Sequence, residues 1–227
     1  MGWKMAYRVV SLYRAFLGMI YSFSIGVFSY FIPKKTDLIV IGSGLGMSFG
    51  GNPKSIFTRL VRKSEGVDVY WLTKDTKVMQ EVKSIGGKVT RLDKISGIWK
   101  LLRARLVIIE SGTIPGEWGH DVSIGRFLFG RFNILQTWHG SPIKMIGIDA
   151  IMDGGKKLTS KLKVKILKRE YRNYTGILAA SEEEGDILSK AFENKRVWIE
   201  GLPRNDALTN ESLRLEIRNR INIDDEK

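Results

Sequence analysis

The chain has 227 residues, enough for one sizeable α/β domain with an appendage but short of two full Rossmann-like domains. Its 37 Lys and Arg against 24 Asp and Glu give a formal net charge of +13, which favours anionic partners such as phosphate polymers, acidic lipid surfaces or nucleic acid. The absence of Cys excludes disulfides, thiolate-bound zinc and a thiol nucleophile, and two His residues, His120 and His139, are too few for a His-rich metal site.

Ala15 to Ile32 is an uncharged run rich in Phe, Ile and Tyr, preceded by Lys4, Arg8 and Arg14 and closed by Pro33, Lys34 and Lys35. Its length sits at the lower edge of what crosses a bilayer core, and its serines and glycines dilute the hydrophobicity. No small-residue cleavage site follows it, so the expectation is a retained membrane helix lying in the interface or shallowly inserted, with a full span as the alternative. Arg14, Phe16, Phe23, Phe28 and Phe31 are its expected membrane contacts.

Asp37 to Gly42 reads as a central parallel strand. The following Gly42-Ser43-Gly44-Leu45-Gly46 has its third glycine misplaced for a dinucleotide fingerprint, because Met47 stands there; no NAD, and no other cofactor, is expected. Asn52 and Pro53 predict a helix start for Lys54 to Lys63, with Asn52 as the N-cap, and the free amides either face an anion or form a plain cap. Val67–Leu72, Lys88–Leu92 and Leu106–Glu110 then read as strands separated by helices at Thr76–Ile85 and Ile95–Ala104, and the polar groups of Glu110, Ser111 and Gly112 at the end of the last strand should lie at the ligand edge. This alternation predicts a doubly wound parallel sheet. His120 falls in a Gly, Pro and Trp-containing loop and reads as a surface residue.

Asn133 to Trp138 predicts a strand that runs into Trp138-His139-Gly140-Ser141-Pro142-Ile143-Lys144 at the C-terminal edge of the sheet, where ligands of open α/β sheets bind. An imidazole at that edge suits general-base chemistry, with a hydrogen-bonded structural histidine as the alternative. Farther on, Lys156 to Tyr174 lies on a helix. Lys157, Lys161, Lys165, Lys168 and Arg172 make a basic stripe beside an apolar one of Val164, Leu167, Tyr171 and Tyr174, which suits an anionic membrane or polyphosphate, or else a solvated face. Ile177–Ala180, Glu182–Phe192 and Arg196–Glu200 read as strand, helix and strand. They deliver Gly201-Leu202-Pro203-Arg204-Asn205-Asp206, in which Arg204 suits a phosphate clamp and Asn205 or Asp206 caps a helix near Ala207.

Three motifs, Gly51-Asn52-Pro53-Lys54, the Trp138–Lys144 stretch and Gly201–Asp206, stand in the order and at about the spacing found in the CDP-glycerol glycerophosphotransferases of teichoic acid synthesis, which the chain resembles from about Asp37 to Lys227. The resemblance implies one Rossmann-like half, on the acceptor side, of a GT-B architecture. Residues 1–35 are then a membrane-associated segment, 36–206 the acceptor-side domain, and 207–227 the start of a connection to a donor-binding domain that this sequence does not contain.

The resemblance further implies that His139 is the base that takes the acceptor hydroxyl proton. Asn52, Trp138, Gly140, Ser141, Lys144, Arg204, Asn205 and Asp206 are the expected substrate contacts: Asn52, Lys144 and Arg204 stand at family positions, the roles of Lys144 and Arg204 are read from their charge, and Ser141 replaces the more usual Thr. The resemblance implies as partners a lipid-linked polyol-phosphate acceptor and, once a donor domain is supplied, CDP-glycerol; the apolar N-terminal run and the basic residues add the anionic cytoplasmic face of the cell membrane, and with no stacking-aromatic or helix-turn-helix pattern no nucleic acid is expected. The competing expectation is a non-catalytic module that holds a membrane or anionic polymer by its basic surface.

Overall fold

The computed structural model describes residues 20, 23–43, 46–63, 65–91, 93–111, 130–153, 158–209 and 211–220. Seven strands form one parallel sheet in the order β3-β2-β1-β4-β5-β6-β7. They are β1 (Lys35–Ile41), β2 (Asp68–Leu72), β3 (Lys88–Thr90), β4 (Ala104–Ile109), β5 (Ile134–Gln136), β6 (Tyr174–Ala179) and β7 (Val197–Ile199). The helices are α1 (23–31), α2 (Gly51–Lys63), α3 (Thr76–Ser84), α4 (Ile95–Arg103), α5 (Gly147–Asp153), α6 (Leu158–Tyr171), α7 (Glu182–Ala191) and α8 (Glu211–Arg220), with a 3-10 segment at Pro203–Thr209.

The central strands are apolar because both faces are covered. Leu38, Val40, Val107 and Ile109 enter one core with Leu101 and Leu102 of α4 and Leu188 of α7, while Ile41 and Ile108 enter the other with Phe57 of α2 and Val78 and Val82 of α3. The second core is centred on Trp71, whose ring lies edge-on to Phe49 at 4.7 Å and Phe57 at 5.3 Å. The doubly wound parallel sheet expected from the strand–helix alternation is therefore what the chain builds.

Chain order reverses between β1 and β4, which pair through Val40 and Val107, so the topological switch point lies there. Loops leaving the C-terminal ends of β1, β4, β5, β6 and β7 consequently share one edge.

Several local expectations need correction. Arg14 and Phe16 lie outside the described residues, and of the run Ala15 to Ile32 residues 23–31 form α1. Among the described residues no helix is long and apolar enough to cross a membrane. Tyr174 is the first residue of β6, since α6 ends at Tyr171 and a turn intervenes. Lys168 is withdrawn from the basic stripe by an ion pair with Glu193 at 2.6 Å. Lys161 and Lys165 remain exposed on α6 and Arg172 is exposed in the turn after it, off the helix, while Val164, Leu167 and Tyr171 are buried as an apolar face should be. Lys157 and His120 lie outside the described residues. The helix expected near Ala207 begins at Glu211, because the tight 3-10 segment comes first.

Candidate active site

The site is organised by Asn52, which is fully buried. It is not the N-cap of α2: the helix starts at Gly51, and the Asn52 side chain turns away to bridge other segments. Its Nδ2 donates to the carbonyls of Thr137 and Trp138, each at 3.0 Å, and its Oδ1 accepts from the Arg204 amide at 3.3 Å. One amide thus joins all three motifs, whose members are 85 and 152 residues away. Each bond satisfies a polar group that the packing would otherwise strand.

Trp138 shows what this bridging achieves. Its φ of 51° is a left-handed conformation that non-glycine residues avoid. Its carbonyl is held by Asn52, while its N–H donates to Gln136 Oε1 at 3.0 Å. Gln136 is itself fully buried, its Nε2 directed to the Ser111 carbonyl at 3.3 Å. Such double fixing is how a backbone strain of roughly 1–3 kcal/mol persists. It also ends β5 at Gln136, short of the expected strand end, and turns the chain so that His139 stands exposed at the edge.

The His139 ring stacks on the Trp138 indole, centroids 4.1 Å apart, and the indole in turn rests edge-on against Phe192 at 5.3 Å. Arg204 Nη1 donates to the His139 carbonyl at 2.9 Å. The guanidinium also lies beside Gly140, whose φ of 149° disfavours any side chain and where an added Cβ would stand 3.4 Å from Arg204 Nη2. Ser141 Oγ donates to Glu184 Oε2 at 3.3 Å. Glu184 is buried in the first turn of α7, where Ser181 caps the helix by accepting from the Glu184 amide at 3.2 Å.

Asn52, Trp138, His139, Gly140, Ser141 and Arg204 are therefore one connected group. Lys144, Asn205 and Asp206 are exposed on the same loops, with no side-chain bond linking them to it. Lys144 instead borders a separate cavity of about 280 Å³ with Asp149 and Ile187.

Beneath the loop, Glu110 at the end of β4 is 9 % exposed and accepts a hydrogen bond from Ser43 Oγ at the end of β1. Its carboxylate lies against Gly51, where an added Cβ would overlap it. A carboxylate there is favoured by the positive end of the α2 dipole. The first turn of α2 is thus faced by the chain's own anion. Glu110 lies at the edge where its place after a strand run puts it, whereas spacing does not single out Ser43, Gln136 and Glu184; the available signal for these is a polar residue inside or just after an apolar strand run.

A family model described as CDP-Glycerol:Poly(glycerophosphate) glycerophosphotransferase matches residues 25–227. The chain belongs to this family. Among curated relatives, the teichoic acid poly(glycerol phosphate) polymerase of Bacillus spizizenii W23 is 26 % identical over 230 residues, covering 97 % of this chain and 55 % of that protein. The polymerase of the same description from Bacillus subtilis 168 is 27 % identical, covering 86 % and 26 %. The teichoic acid glycerol-phosphate transferase of Staphylococcus aureus NCTC 8325 is 26 % identical, covering 85 % and 48 %. The chain spans about half the length, or less, of these relatives. A solved structure of the wall teichoic acid polymerase TagF matches with a TM-score of 0.63 at 20 % identity, over 86 % of this chain and 46 % of that one, a likeness of fold.

Proposed function

We propose that this chain forms the acceptor-side half, of GT-B type, of an enzyme that transfers glycerol phosphate from CDP-glycerol to a teichoic acid-type acceptor. In this reading residues 36–206 are the acceptor-side domain and 207–227 begin the connection to a donor-binding half. His139 takes the proton from the acceptor hydroxyl. The hydroxyl oxygen bonds to the β-phosphorus of CDP-glycerol, the bond from that phosphorus to the bridging oxygen breaks, and CMP leaves with the electron pair. Phosphoryl transfer depends mainly on positioning and charge stabilisation, so a base alone gives little rate without the donor clamp.

The observation that carries this reading is the Asn52 bridge, which gathers the three family motifs around an exposed imidazole stacked on Trp138. Arg204, with one N–H committed to the His139 carbonyl, has further donors for an acceptor phosphate. Lys144, Asn205 and Asp206 supply exposed polar groups on the surrounding loops.

The acceptor in this proposal is lipid-linked, and the chain works at the cytoplasmic face of the cell membrane. Supporting this is α1, whose Phe23, Phe28 and Phe31 are 53 %, 59 % and 78 % exposed. Lys161, Lys165 and Arg172 of the basic stripe are further candidates for contact with anionic lipid.

The test joins the full chain to the donor half of a relative and measures glycerol phosphate transfer with and without His139→Ala. Loss of transfer with retained fold is expected. Unchanged transfer in the variant would remove His139 from the chemistry, and micromolar CDP-glycerol binding by the chain alone would contradict a donor site elsewhere.

A further inference from the structure

α1 has two different long faces. Ile25 and Ser29, four residues apart, are 5 % and 1 % exposed and dock against the domain, whereas Phe23, Val27 and Phe31 run along the outer side beside Phe28. Ser29 fixes the helix to the chain before β5, because its Oγ donates to the Gly26 carbonyl at 2.6 Å and accepts from the Arg131 amide at 2.7 Å. The outer aromatics are thus held in place on a docked helix.

At the foot of α1 lies a cavity of about 300 Å³ bounded by Ser29, Tyr30, Phe31, Lys34 and Arg131. Lys34 is half-buried; its ammonium donates to the Leu102 carbonyl at 2.7 Å and sits 4.6 Å from the centre of the Phe132 ring. The Leu102 bond satisfies one carbonyl in the last turn of α4, and an ammonium has three donors. Neither Lys34 nor Arg131 has a carboxylate partner among the described residues. Burial, reinforced by the neighbouring Arg131 cation, pulls the Lys34 pKa down to about 8. Two cations that disfavour each other beside one cavity form an arrangement that an anion would relieve.

We propose that this cavity is a headgroup site, in which Lys34 and Arg131 hold the phosphate of an anionic membrane lipid while the outer aromatics of α1 enter the interface. The proposal rests on the membrane attachment put forward above and adds the residues that select the lipid. A phosphate held here cannot be the one being extended, because Lys34 precedes β1 and Arg131 precedes β5, at the sheet edge opposite His139. Charge complementarity decides the occupant: a second copy of a chain with net charge +13 would bring more cations, whereas an anionic bilayer supplies phosphate and apolar depth together.

The test is sedimentation of the full chain with vesicles of phosphatidylcholine alone or mixed with phosphatidylglycerol. The variants are Lys34→Gln with Arg131→Gln, Arg131→Gln alone, Phe28→Ser with Phe31→Ser, and a control, Arg62→Gln with Lys63→Gln on α2. The pocket double variant should lose about fivefold in affinity per charge for mixed vesicles, should exceed the control's loss, and should bind phosphatidylcholine like the wild type. Arg131→Gln, at an exposed position, should give about half that effect on a logarithmic scale and guards against misfolding of the double variant. The aromatic variant should weaken binding to both vesicle types.

A pocket variant that loses no more than the control overturns the headgroup site and leaves membrane attachment standing. Wild-type chain that sediments with neither vesicle overturns both. Inorganic phosphate that shifts the NMR signals of the wild type but not the pocket variant, without any vesicle preference, makes this a free-phosphate site and overturns the lipid assignment.

Discussion

The side-chain amide of Asn52 donates a 3.0 Å hydrogen bond to the carbonyl of Trp138, and through it the first turn of α2 sets the conformation from which His139 projects. The same amide holds Thr137 and the Arg204 N–H, so three loops of the sheet edge share one buried anchor.

Replacing Asn52 by Ala leaves the Thr137 carbonyl and the Arg204 N–H without their partner and the Trp138 carbonyl with only the long 3.4 Å bond from Thr137 Oγ1. At about 1–3 kcal/mol for each buried unsatisfied group, less where water reaches the exposed loop, a loss of about 2–4 kcal/mol is expected. Asn52→Asp keeps the shape but turns an acceptor toward two carbonyls, so it should be no better tolerated. Urea unfolding checks both, and a change below about 0.5 kcal/mol, the range of ordinary surface substitutions, would mean that the amide does not hold the loops.

Gly51 and Glu110 offer a coupled test. Ala at position 51 meets the Glu110 carboxylate and must adopt a φ of +63°, so Gly51→Ala should destabilise strongly. Shortening the obstacle with Glu110→Ala removes the overlap but not the backbone strain. The double variant should therefore be more stable than the sum of the single losses by at least about 1 kcal/mol, measured as a double-mutant cycle. Strict additivity would show that the two residues do not touch.

Arg204 holds the His139 carbonyl through a guanidinium nitrogen at 2.9 Å. Lys retains the charge and loses the planar fork. In the enzyme completed with a donor half, Arg204→Lys should lower kcat roughly tenfold, equivalent to about 1.4 kcal/mol, with the unfolding midpoint little changed. An unaltered kcat would reduce Arg204 to a general positive charge.

How much of this is legible in the sequence follows from the range of each interaction. β1, β2, α3 and α7 are readable because short apolar runs and their alternation with helical stretches are local signals. The short α5 is not, since seven residues starting at Gly147 carry too little periodicity. Asn52 stands out in the sequence but reads as a local cap; its true partners lie 85 and more residues away, and no spacing rule reaches that far. Glu110 is legible as a polar residue at the ligand edge, but its contacts with Ser43 and Gly51 are not, and Gln136 escapes for the same reason: a polar residue at a strand end shows that something must satisfy it, not what does. The basic stripe of α6 is visible as spacing, whereas the Lys168 ion pair depends on where Glu193 falls after α7.

Lys34 gives a pH-dependent prediction whose sign is fixed by its surroundings. Burial and Arg131 lower its folded pKa to about 8 from the ordinary value of 10.5. Below about pH 8 the side chain is charged in both folded and unfolded chains, and the folded state carries the full penalty of a partly desolvated cation. Between about 8 and 10.5 the unfolded chain binds the proton and the folded chain does not, so this group's contribution to stability rises with pH. Above 10.5 both forms are neutral and the penalty is gone. Lys34→Met never carries it. Thermal unfolding from about pH 7 to 11 should therefore show the wild type gaining on the Lys34→Met variant across that window, the difference cancelling the titration of all other groups. A difference that stays flat, or falls with pH, would mean that the Lys34 ammonium is not desolvated in the folded chain.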